Sequence, residues 1–139
     1  GVQTCALPIF IQALEHADAH TFGQALHQLS AARDPAVARF VTAFLAQERF
    51  LQRPAEERRA IYAAIASTGG DEIVADLEAA LHGGNWFDRE QEVHRHAVAR
   101  CLARIGTPRA IAALQAGAES RRAPIQQACT NALQSRHAA

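Results

Sequence analysis

Apolar residues recur along most of the chain at spacings of three and four, which is the period of one face of an α-helix. After Pro35, for example, Val37, Phe40, Val41 and Phe44 fall on one face. The pattern predicts eight helices joined by mostly short loops: Phe10–Ala17, Thr21–Ala31, Pro35–Leu51, Pro54–Ser67, Asp71–Leu81, Arg89–Ile105, Pro108–Ala118 and Ala123–Ser135.

Proline, glycine and small polar residues mark the predicted helix ends. Asp34-Pro35 and Thr107-Pro108 each place a good N-cap before a proline at the first helical position. Asp71 is expected to cap the next helix in the same way. Gly69-Gly70 is expected to end a helix because glycine adopts the left-handed conformation at little cost, and Gly83-Gly84 is a second stop.

Two of these helix pairs are related by an internal repeat. A shift of 37 residues superimposes Ala60–Leu77, within Arg58–Leu81, on Ala97–Leu114, within Val93–Leu114. Small, aliphatic and glycine positions match over both helices, as in stacked helical repeats. The matched pairs are Ala60/Ala97, Ile61/Val98, Ile65/Leu102, Gly69/Gly106, Val74/Ile111 and Leu77/Leu114. We therefore predict an all-α, right-handed α-solenoid of about three antiparallel hairpins, with a single helix at each end, rather than a closed bundle.

The stretch Val93–Leu114 resembles the short bacterial form of the HEAT repeat, whose turn often reads Ile-Gly-Asp-Pro before an alanine-aliphatic pair. Thr107 replaces the Asp of that turn. Arg58–Leu81 resembles the same repeat without the proline, and the resemblance covers roughly Arg53–Ser135. Armadillo and tetratricopeptide repeats fit less well, because the spacing varies and no Trp or Tyr stands where the latter needs one. The resemblance implies a scaffold protein, although a few proteins of this fold are enzymes.

The first nine residues, Gly1–Ile9, are expected to be foreign to the gene. GVQTCALPI back-translates codon by codon to the end of a widely used short-read sequencing adapter. The chain also contains no Met, so the natural start is not in it. We therefore exclude residues 1–9 from the fold and expect residues 10–139 to be one HEAT-like domain from the C-terminal part of a longer protein.

Charge is distributed unevenly although the net charge is zero. Residues 10–88 hold six Arg against eleven acidic residues, whereas residues 89–139 hold eight Arg against three. A basic C-terminal third can bind an acidic partner, although solvated helix faces give the same counts. The candidate residues for that contact are Arg95, Arg100, Arg104, Arg121 and Arg122.

Cys101 and Cys129 lie on the apolar stripes of their helices, which predicts buried free thiols rather than a disulfide or a metal pair. A reducing, cytoplasmic setting follows as the default. No apolar run approaches the roughly 20 residues of a membrane span.

Candidate catalytic chemistry is sparse. A di-iron hydroxylase of this fold carries repeated His-Glu dipeptides, and no His here is followed by Glu. His16 and His20 stand four residues apart but lack a third ligand, so exposed histidines are the better interpretation. A HEAT-like DNA glycosylase would need a cationic face and aromatic residues, and the neutral charge and single Trp weigh against it. We expect no catalytic residues, cofactor or metal.

The loop Gly83–Glu90 is the strongest candidate contact. Trp86 and Phe87 are the only adjacent aromatic pair, and Arg89 follows them. Trp and Arg are common interface hot spots. Alternatively, both rings fold back over the hairpin junction.

These observations predict a non-catalytic module that binds another protein and neither nucleic acid nor membrane. Its contact residues would be Trp86, Phe87, Arg89, Arg121 and Arg122, on a smooth surface of arginine and aliphatic side chains. The alternative is a HEAT-fold enzyme, such as a DNA glycosylase or a bilin lyase.

Overall fold

The computed structural model describes residues 18–84 and 88–138. The predicted helix Phe10–Ala17, the adapter-like residues 1–9, and both Trp86 and Phe87 lie outside these ranges. Within them the chain forms α-helices joined by turns and short 3₁₀ segments, with no strand. The helices are α1 (Ala19–Ser30), α2 (Pro35–Thr42), α3 (Ala55–Thr68), α4 (Val74–His82), α5 (Arg89–Ile105), α6 (Pro108–Ala118) and α7 (Ala123–Ala138).

The helices form two layers, as in an α-solenoid. Helices α1, α3, α5 and α7 pack side by side in one layer, and α2, α4 and α6 cover them. Successive helices run antiparallel, so α3/α4 and α5/α6 are hairpins related by the sequence repeat. The core lies between the layers and is made of aliphatic side chains with no more than 1% of their surface exposed, among them Ile61, Leu77, Val98, Leu102, Leu114 and Ile125. The predicted all-α solenoid of helical hairpins is confirmed.

The predicted proline starts are confirmed. Oδ1 of Asp34 accepts a hydrogen bond from the backbone N–H of Ala36 at 2.9 Å, and Oγ1 of Thr107 accepts one from Ala110 at 3.2 Å. Both bonds satisfy donors that the first turn of a helix leaves free. The sequence therefore locates two helix starts correctly.

The left-handed conformation predicted at Gly69-Gly70 is wrong, although the glycine of the other repeat turn adopts it. Gly106 ends α5 with φ 67°, whereas Gly69 ends α3 with φ −72° and ψ 145°, which is extended backbone. Gly69 is needed for a different reason. A Cβ placed there would lie 2.6 Å from the carbonyl oxygen of Ile65 and would overlap the side chain of Ile73. Close packing, rather than backbone conformation, requires glycine at this turn.

Asp71 does not cap a helix, contrary to the prediction. Residues Asp71–Ile73 form a 3₁₀ turn that has no side-chain cap, and the carboxylate of Glu72 accepts from the backbone N–H of Gly70 at 3.2 Å. Oδ1 of Asp71 instead accepts a hydrogen bond from the hydroxyl of Thr107. The Asp71 side chain, which the nearby sequence predicts to cap its own helix, is instead hydrogen-bonded to the neighbouring repeat.

The predicted helix Pro35–Leu51 begins where expected but is too long, because α2 ends at Thr42. Two short 3₁₀ turns follow, Ala43–Ala46 and Phe50–Gln52. In one continuous helix, Phe44 and Phe50 would point to different sides. The turns allow both rings to be buried, Phe44 against Phe22 at 5.9 Å between centroids and Phe50 against Tyr62 at 5.7 Å. Tertiary packing of aromatic rings therefore overrides the helical pattern.

The apolar period of α5 predicts Val93 on the inward face together with Ala97 and Val98, and the structure differs from this. Val93 is 55% exposed, whereas Arg95, a candidate surface residue, is 1% exposed. Helix α5 packs against α3, α4, α6 and α7, so it is covered on several sides. Arg95 can be buried because backbone carbonyls of the α4 end accept its hydrogen bonds. This arginine is therefore not part of a basic surface.

Candidate functional site

A groove of about 520 Å³ opens between the Thr42–Leu51 segment, helix α4 and the first turns of α5. Apolar side chains form most of its lining, and two polar side chains of α5 lie among them. Charged side chains stand at its margin. The lining includes Leu45, Phe50, Leu51, Ala79 and Ala80, the polar residues Gln91 and His94, and the charged residues Arg39, Glu48 and Asp76.

Arg53 fixes one wall of the groove. Its guanidinium carbon lies 4.8 Å from the ring centroid of Phe44 and 5.4 Å from that of Phe22. The same group donates to Oε1 of Glu57 at 3.3 Å and to Oε1 of Gln47 at 3.1 Å. Cation–π contacts and these hydrogen bonds together hold the irregular Thr42–Leu51 segment against α1 and α3.

Arg95 fixes the opposite wall. Its Nε donates to the carbonyl of Leu81 and its Nη2 to the carbonyl of Gly83, both at 3.0 Å. Both carbonyl oxygens lie at the C-terminal end of α4, where a cation also complements the helix dipole. The chain then turns at Gly84, whose φ of 86° favours glycine and where a Cβ would overlap the side chain of Gln91. Gly84 thus lies directly over α5.

His94 lies at the base of the groove as a neutral side chain. It is 4% exposed, and its Nδ1 is 2.5 Å from the hydroxyl of Tyr62. Burial, followed by the charges of Arg95 and Arg58, lowers the pKa of His94 to about 4. Burial raises the pKa of Tyr62, so its hydroxyl keeps its proton.

The hydroxyl of Tyr62 has no other acceptor among the residues described, so we assign it as the donor to Nδ1 of His94. The ring proton of His94 is then on Nε2. No side chain or carbonyl of the described ranges bonds Nε2, and this atom is not among the fully buried polar atoms that lack a partner there. His94 therefore presents its Nε2–H to the groove as a hydrogen-bond donor.

Gln91 lies one turn before His94 on the same face of α5. Its side chain is 9% exposed and lines the groove. Within residues 18–84 and 88–138, its amide makes no hydrogen bond. The amide atoms are not among the fully buried polar atoms that lack a partner in the described ranges, so they face the open groove, where a ligand can bond them.

Other reactive groups lie apart from the groove. Burial raises the pKa of the Cys101 thiol to about 12 and that of Cys129 to about 11. Both cysteines are free and buried, as predicted. His20 is exposed, also as predicted, and His16 is outside the described ranges. Among the residues that the structure describes, no three His, Cys, Asp or Glu side chains gather as metal ligands.

The sequence model of HEAT repeats matches residues 48–134, which is more than half of the chain. The chain belongs to the HEAT-repeat family. No curated protein matches it. Among solved structures, human deoxyhypusine hydroxylase in complex with glycerol is 18% identical, with 98% of this chain and 75% of that chain covered and a TM-score of 0.31. A likeness this weak carries no argument about activity.

The HEAT hairpins bring three of the predicted contact residues to one end of the solenoid. Arg89 begins α5, and Arg121 and Arg122 lie between α6 and α7; all three are exposed. Because successive helices are antiparallel, these loops lie at the same end as the groove. Arg100 and Arg104 are also exposed, but Arg104 is near the opposite end of α5. None of the helices that the structure describes is both long and apolar enough to cross a bilayer.

The smooth surface expected from the sequence is wrong, because the groove interrupts it. Sequence reasoning missed the groove since it continued α2 through the Thr42–Leu51 segment that forms one wall. One signal was available: Gln91 and His94 are polar residues three positions apart on a helix whose next turns are apolar on the same side.

Proposed function

We propose that this HEAT-repeat chain is a non-catalytic module that binds another protein, and that the groove receives a segment of that protein. The groove's lining supports this proposal. It combines an apolar surface with a few polar groups and a charged margin, which is the usual composition of a protein-binding site. It is also open to solvent rather than enclosed, so a chain can lie in it.

The basic end of the molecule extends this proposed surface. Arg89, Arg121 and Arg122 share the groove's end of the solenoid, and we propose that they contact an acidic part of the same partner. Trp86 and Phe87 precede Arg89 and remain predicted contacts. The free thiols of Cys101 and Cys129 support a reducing, cytoplasmic setting.

The test is capture of binding proteins by two matched variants. Ala79 is exposed and lines the groove, and the repeat places Ala116, also exposed, at the equivalent position of α6. Ala79→Arg fills the groove without disturbing the core, whereas Ala116→Arg adds the same charge outside it. Proteins retained by the unmodified chain and by Ala116→Arg, but lost with Ala79→Arg, would support the proposal.

Loss of the captured proteins with both variants would contradict a binding role for the groove. Retention of these proteins by both variants would contradict it as well. An enzymatic role is tested on the same preparation. Release of a base from alkylated DNA, or modification of a bilin, would show that the module is catalytic.

A further inference from the structure

The side-chain amide of Gln91 faces the groove and makes no hydrogen bond within the described part of the chain. Gln91 is 9% exposed, and Gly84 packs directly against its side chain. A carboxamide carries an acceptor and two donors. The complementary group is another amide, which offers one acceptor and one donor, and a peptide backbone supplies such groups at every residue.

His94 provides a second hydrogen-bonding group on the same face of α5. Its Nε2–H is held as a donor because Tyr62 occupies Nδ1 at 2.5 Å. His94 lies three positions after Gln91, which is about 4.5 Å along the helix axis. An extended chain advances about 3.3 Å per residue, so both groups can reach one short peptide segment.

We propose that Gln91 and His94 bind the main chain of an extended peptide segment of the partner, an inference that rests on the proposed function. The amide of Gln91 pairs with a backbone N–H and C=O, and Nε2–H of His94 donates to a neighbouring carbonyl. An apolar side chain of the segment packs against Leu45 and Leu51.

Charge indicates a basic residue beside that apolar one. Two carboxylates, Glu48 and Asp76, and one guanidinium, Arg39, stand at the margin of the groove. This margin belongs to the half of the chain with more acidic residues than arginines. A Lys or Arg in the bound segment would lie near Asp76 or Glu48. The occupant is therefore an extended peptide with adjacent apolar and basic residues.

The experiment begins with selection of random linear 12-residue peptides displayed on phage, using the intact chain as bait and the Ala79→Arg variant for counter-selection. Binding of each selected peptide is measured by fluorescence polarisation. We expect peptides that share an apolar residue next to Lys or Arg. Gln91→Leu should weaken binding about 3- to 10-fold, which is the usual effect of one neutral hydrogen bond. Gln115→Leu, on an exposed position of α6, should leave it unchanged.

A backbone substitution identifies the bond itself. Replacing single amides of the selected peptide by esters removes one N–H at a time. At the position whose N–H bonds Gln91, the ester should weaken binding to the unmodified chain. The Gln91→Leu variant should bind that ester peptide and the amide peptide equally well. The melting temperature of Gln91→Leu should be equal to or above that of the unmodified chain, because the variant removes an unpaired polar group.

Several results would overturn this inference. These are selection of no peptide above the Ala79→Arg background, additive effects of the ester and Gln91→Leu at every position, or a lower melting temperature of that variant with unchanged affinity. Capture of proteins through the groove would survive each of them, so failure here is distinguishable from failure of the proposed function.

Discussion

The hydroxyl of Thr107 donates a hydrogen bond to Oδ1 of Asp71 at 2.6 Å while it accepts one from the N–H of Ala110 at 3.2 Å. Thr107 therefore caps its own helix and joins the turn of one repeat to that of the preceding repeat. An aspartate at position 107 can do the first and not the second, because a carboxylate has no proton to donate. The neighbouring carboxylate thus explains why this turn departs from the Ile-Gly-Asp-Pro pattern.

Thr107→Asp should lower the free energy of unfolding by about 1 kcal/mol, although it restores a residue that caps helices well. The lost hydrogen bond and the repulsion between two carboxylates both contribute. In the Asp71→Ala background, the same substitution should be neutral or stabilising. Urea unfolding of the four proteins measures the coupling. Equal effects of Thr107→Asp in both backgrounds would show that the turns are independent.

Gly117→Ala should destabilise the protein by about 1–3 kcal/mol, although alanine favours helices. A Cβ at position 117 would overlap Sγ of Cys129 and lie 3.3 Å from its Cβ. Cys129→Ala removes the sulfur, so most of the penalty should disappear in the double variant. Thermal unfolding of the single and double variants checks this. An equal loss of stability from Gly117→Ala in the Cys129→Ala background would show that the clash is not with the Cys129 sulfur.

Acid should destabilise the protein through His94. Its pKa is about 4 in the folded state against an ordinary 6.5, so the unfolded chain binds more protons between these values. The stability is complete above pH 6.5 and falls as the pH is lowered toward 4. At pH 4.5 the loss should be about 2 kcal/mol. Urea unfolding at pH 7 and 4.5 should show a smaller loss for His94→Gln, and an equal loss would exclude His94 as the cause.

Binding of a captured partner should weaken as salt rises from low to physiological concentration, because exposed charges are screened there. The double variant Arg121→Ala/Arg122→Ala should lower the affinity and reduce its salt dependence without changing the fold. Arg104→Ala/Arg109→Ala provides a control near the opposite end of the helices. Calorimetric titration at two salt concentrations measures both effects. A larger effect of the control pair would show that the basic contact lies at the opposite end of the helices instead.

The fold was predictable because helices and their stacking depend on local and repeated signals. The Asp34-Pro35 and Thr107-Pro108 starts and the Gly106 turn all act within a few residues, and the repeat extends them to neighbouring hairpins. The breaks after Thr42 were not predictable in this way. They follow from the packing of Phe44 and Phe50 against residues of other helices, which periodicity does not contain.

The groove was less predictable than the fold for the same reason. Arg95 looks like a surface residue until the carbonyls of Leu81 and Gly83 are placed beside it. His94 becomes a fixed donor only through Tyr62, which is 32 residues earlier in the chain. Both roles depend on contacts between helices distant in the sequence, so the residue types alone do not reveal them.

The most direct test of the groove as a protein-binding site is an NMR titration of the ¹⁵N-labelled chain with a captured partner. We expect the side-chain NH₂ signals of Gln91 and the backbone amides of Ala79 and Ala80 to shift most. These shifts should be lost in Ala79→Arg and kept in Ala116→Arg. Shifts confined to the exposed faces of α1 and α3, with the Gln91 signals unchanged, would contradict it.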